Sequence, residues 1–421
     1  MTINGTTGWT NTSADSVTCD SHSDEIGFQV RFTNGDWKLL QGAYGWAALQ
    51  YQAWARGWLT VPGDRPQTLI LYTDHVLEFY VDDQHYFGGD FYAFRKAPLV
   101  LHLEPGSHRL DLRLIRDVRA MGGVGGPTVD VTVKVILVEQ ALHIQPDSAI
   151  LPDFVDGKLA GRLGSIAIRN DAQQPVLLSS VEASTSSVEL TLVPDQEHQL
   201  IVPGQTRPVA FKMTCNLQCP EAFDMEVRYT LANSSDLRRA SLGNLIMRRT
   251  SIYEPHKITF AHPGARVSYA ILRPPSNNSS CPNSAEYRPP LLLQFHGAGL
   301  EAQDPMVSHA LNVLPDLCAF VLFPTGVTPW SGDDWHQWGF ADVEAAIASL
   351  DVWLKLTDWQ GLHPDKTRWL ISGHSNGGQG TWYALTHRPD NAIAAAPVSG
   401  YSSIQSNLPF CLSAMGLLTS A

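Results

Sequence analysis

Apolar and polar residues alternate in short runs through the first 250 residues, which is the pattern of half-buried β-strands. In the run Arg109–Ile115, leucine occupies every second position and charged residues stand between, so one face would be buried and the other solvated. Similar runs are Thr68–Tyr72, Val76–Val81, Leu99–Leu103 and Thr128–Val138. Turn-forming pairs such as Asp82-Asp83 separate them. Residues 1–150 are therefore predicted to form an accessory domain that is a β-sandwich or jelly roll.

A second series of β-like runs fills residues 151–252. The candidate strands are Ser165–Arg169, Pro175–Glu182, Val188–Leu192, Gln199–Val202, Pro208–Met213 and Asp224–Ala232. About seven short strands in about a hundred residues predict a small immunoglobulin-like β domain.

The pattern changes again from about residue 253. Leu291–Phe295 and Ala319–Phe323 are continuous apolar runs, as in strands buried on both faces of a parallel sheet. Asp342–Leu356 has apolar residues at helical spacing. Strands that alternate with helices predict a doubly wound, mostly parallel sheet in residues 253–421.

Composition excludes several classes of function. With 41 acidic and 29 basic residues the net charge is −12, which argues against a nucleic-acid partner. No apolar run reaches the roughly 20 residues that cross a bilayer, so no membrane partner is expected. Cys215 and Cys219 have no histidine nearby, so zinc is not expected, and both a local disulfide and two free thiols remain open. No metal or other cofactor is predicted.

The candidate chemistry lies in Gly373-His374-Ser375-Asn376-Gly377. This segment follows the apolar run Arg368–Ser372 and precedes the helix-like run Gly378–His387. A strand, a tight Gly-x-Ser-x-Gly turn and a helix form a nucleophile elbow, which presents a serine hydroxyl at the sheet edge. Ser375 is therefore predicted to attack an acyl carbonyl.

A second segment supplies the expected oxyanion hole. The buried strand Leu291–Phe295 ends in His296-Gly297-Ala298-Gly299, where small residues let the backbone approach a substrate. The backbone N–H groups of Ala298 and Asn376 are predicted to stabilise the tetrahedral oxyanion.

With these motifs in place, residues 255–402 resemble the first half of an α/β-hydrolase domain and are most similar to the prolyl-oligopeptidase-like (S9) serine peptidases and esterases. The motifs that carry the resemblance are Phe295–Gly299, Asp333–Gly339, Gly373–Gly380 and Pro397–Gly400. The upstream β regions resemble accessory domains found ahead of such hydrolases in fungal proteins. The resemblance implies a multidomain chain: two β-sandwich-like domains followed by a partial α/β-hydrolase domain, incomplete at its C-terminus.

Three further residues are candidates for lining a substrate pocket: His296, Trp335 and Trp338. Both tryptophans could instead pack in the core or against a helix, and His296 could instead brace its loop. Asp333 and Asp334 could cap the following helix or bind a cation, and capping or simple solvation is favoured.

The rest of a catalytic triad is missing from the residues after Ser375. In this fold an acid and then a histidine follow the serine along the chain. His387 and Asp390 are the only candidates, and the intervening helix would hold His387 about 18 Å away at 1.5 Å per residue. From Asn391 to Ala421 there is no Asp, Glu or His. We therefore expect a truncated, mis-spliced or fragmentary hydrolase, nearly inactive as written, and reading the transcript across Gln405 tests this.

The leading interpretation is a serine hydrolase that cleaves peptide or ester bonds through an acyl-enzyme. The alternatives are a non-catalytic protein whose β domains bind glycan or protein, and a carbohydrate or feruloyl-type esterase. The compartment stays open, because Met1–Thr10 lacks an apolar signal stretch whereas glycosylation sequons favour a secreted full-length form. These sequons begin at Asn4, Asn11, Asn233, Asn277 and Asn278.

Overall fold

The computed structural model describes most of the chain. The described residues are 17–20, 25–31, 36–45, 48, 51–87, 96–116, 128–138, 140–193, 200–216, 219–264, 266–284, 286–328, 333 and 335–401. The sequons at Asn4 and Asn11 and the segment after Tyr401 lie outside them. In the described part of the chain, no helix is long and apolar enough to span a bilayer.

The N-terminal residues form two sheets, called here the first sheet pair. One sheet has the order β1-β2-β9-β4-β7 and the other β3-β8-β5-β6, and all the strand pairings are antiparallel. The elements are β1 (Val17–Asp20), β2 (Glu25–Arg31), α1 (Trp37–Tyr44), β3 (Tyr51–Val61), β4 (Gln67–Asp74), β5 (Val76–Val81), β6 (Gln84–Phe87), β7 (Leu99–Leu103), β8 (Gly106–Arg116) and β9 (Thr128–Val138).

Residues from both sheets of the first pair share one core. Leu69 from β4, Phe79 from β5 and Leu112 from β8 belong to the same buried cluster. Along β8 the alternation seen in the sequence puts Leu112 and Leu114 inside and Arg113 towards solvent. The two sheets of the first pair therefore contribute side chains to a common core.

The next residues form the second sheet pair, with sheet orders β10-β13-β17-β15 and β16-β14-β18-β19. A small sheet, β12-β11-β20, lies beside it. The elements are β10 (Leu142–Ile150), β11 (Phe154–Val155), β12 (Lys158–Leu159), β13 (Leu163–Asn170), β14 (Val176–Ala183), β15 (Val188–Leu192), β16 (Leu200–Ile201), β17 (Thr206–Cys215), β18 (Ala222–Leu231), β19 (Arg238–Ile246) and β20 (Arg249–Thr250).

The first predicted domain boundary, at residue 150, differs from the structure. It assigns β10 to the first domain, whereas this strand belongs to the second sheet pair. β10 pairs with β13, and its Leu142 and Ile144 lie in the same buried cluster as Phe211 and Val227. The sheets therefore divide before Leu142, because the partner of this strand lies after it in the sequence.

The remaining residues form one six-stranded sheet, the C-terminal sheet, in the order β21-β22-β24-β23-β25-β26. β21 and β22 form an antiparallel hairpin, β22 pairs antiparallel with β24, and the other pairings are parallel. The elements are β21 (His256–His262), β22 (Arg266–Arg273), β23 (Pro290–Phe295), α2 (Pro305–Ser308), β24 (Phe320–Pro324), α3 (Gln337–Leu356), β25 (Asp365–His374), α4 (Asn376–His387) and β26 (Ala392–Val398).

Both faces of the inner strands β23 and β24 are covered, which explains their continuous apolar sequences, whereas the edge strand β26 is mostly exposed. Val343 of α3 and Ala384 of α4 pack in one core cluster with Leu293 of β23. Val307 of α2 packs with Phe323 of β24 in a second cluster. Every residue of β24 is buried as a result.

The helix predicted from Asp342 begins five residues earlier, at Gln337. The Asp333 carboxylate accepts hydrogen bonds from the N–H groups of Trp338 (2.8 Å) and Gly339 (3.0 Å). This side chain satisfies donors that the first turn of a helix leaves without partners, as the capping prediction required. Trp338 and Gly339 at this end do not fit the apolar spacing of the later turns, so the sequence pattern did not show where the helix begins.

Candidate active site

Ser375 lies in the turn between β25 and α4 with an unusual backbone conformation. Its φ of 56° and ψ of −116° are far from the regions that a residue with a side chain normally adopts. Such a conformation costs on the order of 1–3 kcal/mol and persists only where the surroundings enforce it. Here the Ser375 N–H donates to the Val398 carbonyl (2.9 Å), and the Ser375 carbonyl accepts from Gln379 (3.1 Å). The Ser375 hydroxyl makes no capping bond to its own helix.

Two glycines allow this turn because backbone passes directly against them. A Cβ added to Gly377 would lie 2.2 Å from the carbonyl oxygen of Phe295, and one added to Gly373 would lie 2.3 Å from the carbonyl oxygen of Gly377. Real side chains do not tolerate these distances, so α4 starts in contact with the end of β23 only when both positions lack a side chain.

Two further glycines dock α4 against its neighbours. A Cβ on Gly380 would lie 2.7 Å from the Trp335 ring, and a Cβ on Gly378 would lie 2.7 Å from the backbone of Gly400. The Gly-rich run after Ser375 is thus explained by close packing on two sides of the helix.

The loop after β23 reaches the serine. A Cβ built on Gly297 would lie 3.7 Å from the Cβ of Ser375, so the two backbones run side by side. Ala298 and Gly299 follow as exposed residues, and Gly299 has a φ of 80°. Asn376, whose side chain is buried, is the first residue of α4, where the helix itself offers the N–H no carbonyl. The structure therefore brings the three predicted residues Ser375, Ala298 and Asn376 to one edge of the C-terminal sheet.

His296 and Trp335 lie beneath this edge, and both side chains are buried among the described residues. Trp335 is fully buried, stacks on Phe295 with ring centroids 4.7 Å apart and donates from Nε1 to the His296 carbonyl (3.3 Å). His296 is also buried, and its Nε2 lies 2.9 Å from the Thr325 carbonyl oxygen. The pocket prediction is wrong for both residues, because their rings pack in the apolar layer beneath the elbow. For His296, the loop-bracing alternative holds.

Trp338 lies on the first turn of α3, half exposed, and stacks on His262 with centroids 5.5 Å apart and nearly parallel rings. His262 Nε2 also lies 3.1 Å from the Trp338 carbonyl oxygen. Its contacts thus tie α3 to the β21–β22 hairpin, and none of them joins it to Ser375.

His387 lies at the far end of α4, as the sequence predicted. The helix is continuous from Asn376, and the His387 ring stacks on Tyr383 with centroids 3.7 Å apart. Its Nδ1 lies 2.9 Å from the Tyr383 carbonyl oxygen. This histidine is therefore out of reach of the Ser375 hydroxyl.

Asp342 is a buried carboxyl group that the sequence analysis did not single out. Burial raises its pKa to about 7, against smaller opposing effects of the Ser268 hydroxyl and the Gly326 N–H. Asp342 Oδ2 accepts from the Gly326 N–H (3.0 Å), next to the Thr325 carbonyl that His296 contacts. The signal was available in the sequence, since an acidic residue beside Val343 interrupts the apolar face of the helix.

Comparison with known proteins gives one relative by sequence. No protein-family profile matches the chain. The chain is 37% identical over 417 residues to a protein of Arthroderma benhamiae described as an uncharacterized secreted protein, covering 98% of this chain and 43% of that one. The chain thus spans less than half of the length of that curated relative.

Solved structures with some likeness are hydrolases of low identity. A fluorophosphonate-binding serine hydrolase of Staphylococcus aureus is 17% identical, with 36% of this chain and 59% of that chain covered and a TM-score of 0.27. A puromycin-hydrolyzing peptidase of Mycobacterium tuberculosis is 15% identical, with 65% and 50% covered and a TM-score of 0.29. Similarities at this level do not support an assignment of fold or function by themselves.

The classification of the C-terminal region rests instead on its own geometry. A mostly parallel sheet with buried inner strands, a strained serine between strand and helix, and a neighbouring strand-end loop support a relationship of the C-terminal region to the α/β-hydrolases.

Proposed function

We propose that the complete protein is a serine hydrolase that cleaves peptide or ester bonds through an acyl-enzyme on Ser375. The observation that carries the proposal is the backbone of Ser375, held at φ 56° and ψ −116° beside the Gly297–Gly299 loop. A strained conformation that close packing enforces at a strand end is typical of a functional residue.

The proposed chemistry uses two backbone donors. The Ser375 hydroxyl oxygen bonds to the carbonyl carbon while its proton passes to a general base, and the carbonyl electron pair moves to the oxygen. The N–H groups of Ala298 and Asn376 stabilise that oxyanion. Collapse expels an alcohol or an amine, which takes the proton, and water then releases the acid and frees Ser375.

Activation of the serine needs groups other than those the described residues bring to it. In the described part of the chain, no histidine hydrogen-bonds the Ser375 hydroxyl: His296 contacts Thr325, His336 contacts Gln379 and His387 contacts Tyr383. We therefore propose activity for the complete protein, of which the present chain supplies the nucleophile and the oxyanion donors.

A fluorophosphonate probe tests the nucleophile on the full-length protein. We expect covalent labelling that is abolished in Ser375→Ala and retained in Ser349→Ala. Ser349 is a suitable control because it lies on α3 and its hydroxyl bonds only to the Ala346 carbonyl of that helix. A wild-type protein that folds but takes no label would contradict the proposal and favour the non-catalytic alternative.

The finer proposal is an S9-like peptidase, supported by the Asp333–Gly339 and Gly373–Gly380 motifs. Release of an amine from peptide amides together with hydrolysis of p-nitrophenyl acetate is the expected result for the full-length protein. Cleavage of the ester with no cleavage of any peptide amide would replace the peptidase by an esterase.

We also propose that the protein is secreted. Two disulfides support this, since such bonds persist in oxidising compartments: Cys215–Cys219, which resolves the alternative left open above, and Cys281–Cys318. The Arthroderma relative is described as secreted. Detection of the protein in culture medium, with mass spectrometry of the sequon at Asn233, tests the proposal, and retention inside the cell would contradict it.

A further inference from the structure

The four-stranded sheet of the first sheet pair has one face in the core and the other in solvent. Along β3, Ala53, Ala55 and Leu59 pack against the core. Trp54 and Trp58 project from the opposite face, with 38% and 69% of their surface exposed. Exposing a tryptophan side chain to water is unfavourable, so two exposed tryptophans on one face indicate a binding surface.

The strand register brings more groups to the same face. Directly paired residues of an antiparallel sheet lie on one side. Trp54 pairs with Arg113, Arg113 with Glu78 and Glu78 with Phe87, which is 70% exposed. One row across the sheet therefore runs aromatic, cation, anion, aromatic.

The next row continues the pattern. Arg56 pairs with Asp111, Asp111 with Tyr80 and Tyr80 with His85. The Tyr80 ring stacks on His85, with centroids 4.7 Å apart, and lies 5.8 Å from Trp54. We call the outward side chains of β3, β8, β5 and β6 the aromatic face.

Ion pairs hold the polar groups of the aromatic face in place. Arg113 binds Glu78 and donates to Gln52 (2.8 Å), and His85 Nε2 lies 3.0 Å from the other oxygen of Glu78. The Arg113 guanidinium lowers the pKa of Glu78 below its ordinary value, so this carboxylate stays ionised.

A second set of pairs holds Asp111 between two arginines. Arg56 binds one of its oxygens at 2.5 Å and Arg109 the other at 3.0 Å. Arg109 also pairs with Asp83 at 2.8 Å. Opposite charges thus stand side by side along the face, which therefore offers fixed donors and acceptors without an excess of either charge.

These features select the chemistry of the ligand. A charged ligand such as a nucleic acid or an anionic membrane would need an excess of one charge, and a purely apolar ligand would strip water from the ion pairs. A pyranose ring matches both the aromatic rings and the ion pairs of this face. Its C–H face stacks on an aromatic ring, and its hydroxyl groups bond to charged donors and acceptors. Trp54 and Trp58 stand four residues apart, about 13 Å along the strand, so the ligand spans several sugars.

We propose that the aromatic face binds an uncharged polysaccharide. Binding there is independent of the chemistry at Ser375, because every residue of the face lies in the first sheet pair. In a secreted hydrolase it would hold the enzyme on a glycan-bearing surface.

Affinity electrophoresis of the full-length protein tests the proposal, in gels that contain hydroxyethylcellulose, xylan or galactomannan. We expect retardation in at least one gel, and at least tenfold weaker binding for Trp54→Ala and for Trp58→Ala. The control is Trp382→Ala on α4, a tryptophan of similar exposure (39%) on another part of the molecule, which should bind as wild type. Unchanged circular dichroism of each variant shows that the sheet has kept its fold.

Three results would overturn the proposal. One is the absence of retardation in every neutral gel, and another is wild-type binding by both Trp54→Ala and Trp58→Ala. The third is wild-type self-association in sedimentation equilibrium that Trp58→Ala abolishes while glycan binding stays absent, since the face would then serve a second copy of the chain. A protein that takes no fluorophosphonate label at Ser375 is still expected to bind glycan through the aromatic face, so the two proposals can fail separately.

Discussion

At the scale of the single residue, the candidate site depends on positions where even a methyl group does not fit. Gly377 lies against the Phe295 carbonyl and Gly380 against the Trp335 ring. These contacts keep α4 close enough to β23 for the Gly297 loop to reach Ser375. The sequence motif predicted the turn, and the contacts show what each small residue allows.

Gly377→Ala is therefore expected to lower the melting temperature by several degrees and to abolish probe labelling of the full-length protein. The added Cβ would lie 2.2 Å from a backbone oxygen, so the helix has to move away from the strand. Gly57→Ala is the matched control, because a Cβ there meets nothing within 4 Å. Differential scanning fluorimetry compares the two, and equal melting temperatures would refute the packing argument.

Asp342 yields a pH-dependent prediction. Its pKa is about 7 in the folded protein against an ordinary 3.8. Between these values the folded state keeps a proton that the unfolded chain has released, so this group makes stability fall as pH rises from about 4 to 7. At about 1.4 kcal/mol per pKa unit, the loss is roughly 4 kcal/mol at most.

Asp342→Asn should remove that loss, because the amide does not ionise and its oxygen still accepts from Gly326. We expect the melting temperature of the variant, relative to wild type, to rise between pH 4 and pH 8. Asp351→Asn on the exposed side of α3 is the control and should show a small, flat difference. Parallel curves for Asp342→Asn and wild type would mean that Asp342 does not titrate in this range.

At the scale of secondary-structure elements, the sequence predicted the strands and helices around the elbow because their periodicity is strong. It did not reveal that Trp335 is buried, since the ring packs against Gly380 and Phe295 from distant parts of the chain. Nor did it pair Cys281 with Cys318, because that bond depends on how the loop after β22 folds back towards β24. Contacts between elements decide both features, and local patterns do not encode them.

The Cys281–Cys318 bond should stabilise these elements considerably. It closes a loop with a sequence separation of 37, for which chain entropy gives roughly 4 kcal/mol. We expect Cys281→Ser with Cys318→Ser to lower the midpoint of urea unfolding more than Cys215→Ser with Cys219→Ser, whose separation is only 4. Equal losses in the two double variants would show that loop entropy does not govern the effect.

At the scale of the whole molecule, one member of a buried ion pair in the second sheet pair, Arg169, also contacts the first sheet pair. Arg169 and Asp171 are both almost fully buried, and Arg169 also lies 3.4 Å from the Tyr72 hydroxyl of the first sheet pair. No sequence pattern indicates this ion pair, since both residues stand at an ordinary strand end. The predicted boundary at residue 150 also differs from the division between the sheets, because the pairing of β10 with β13 leaves no local mark in the sequence.

Arg169→Met should cost roughly 3–5 kcal/mol of unfolding free energy, since it leaves the Asp171 charge buried without a partner. Arg388→Met, which breaks an exposed pair with Glu344, should cost less than about 1 kcal/mol. Calorimetry of the full chain measures both. Recovery of stability in Arg169→Met with Asp171→Asn would identify the buried charge as the cause, whereas no recovery would assign the loss to packing.

The contact between Gly378 and Gly400 bears on how sequences of this kind diverge. A Cβ at either position would meet backbone atoms of the other within 2.7 Å. A clash with backbone atoms cannot be relieved by making a side chain smaller, so no substitution elsewhere restores the contact between the two segments. A lineage that replaces one of these glycines has to give up the docking of α4 on the residues after β26. In distant descendants that keep this docking, we expect both glycines to outlast most of the surrounding sequence, and their spacing offers a means of recognising such descendants.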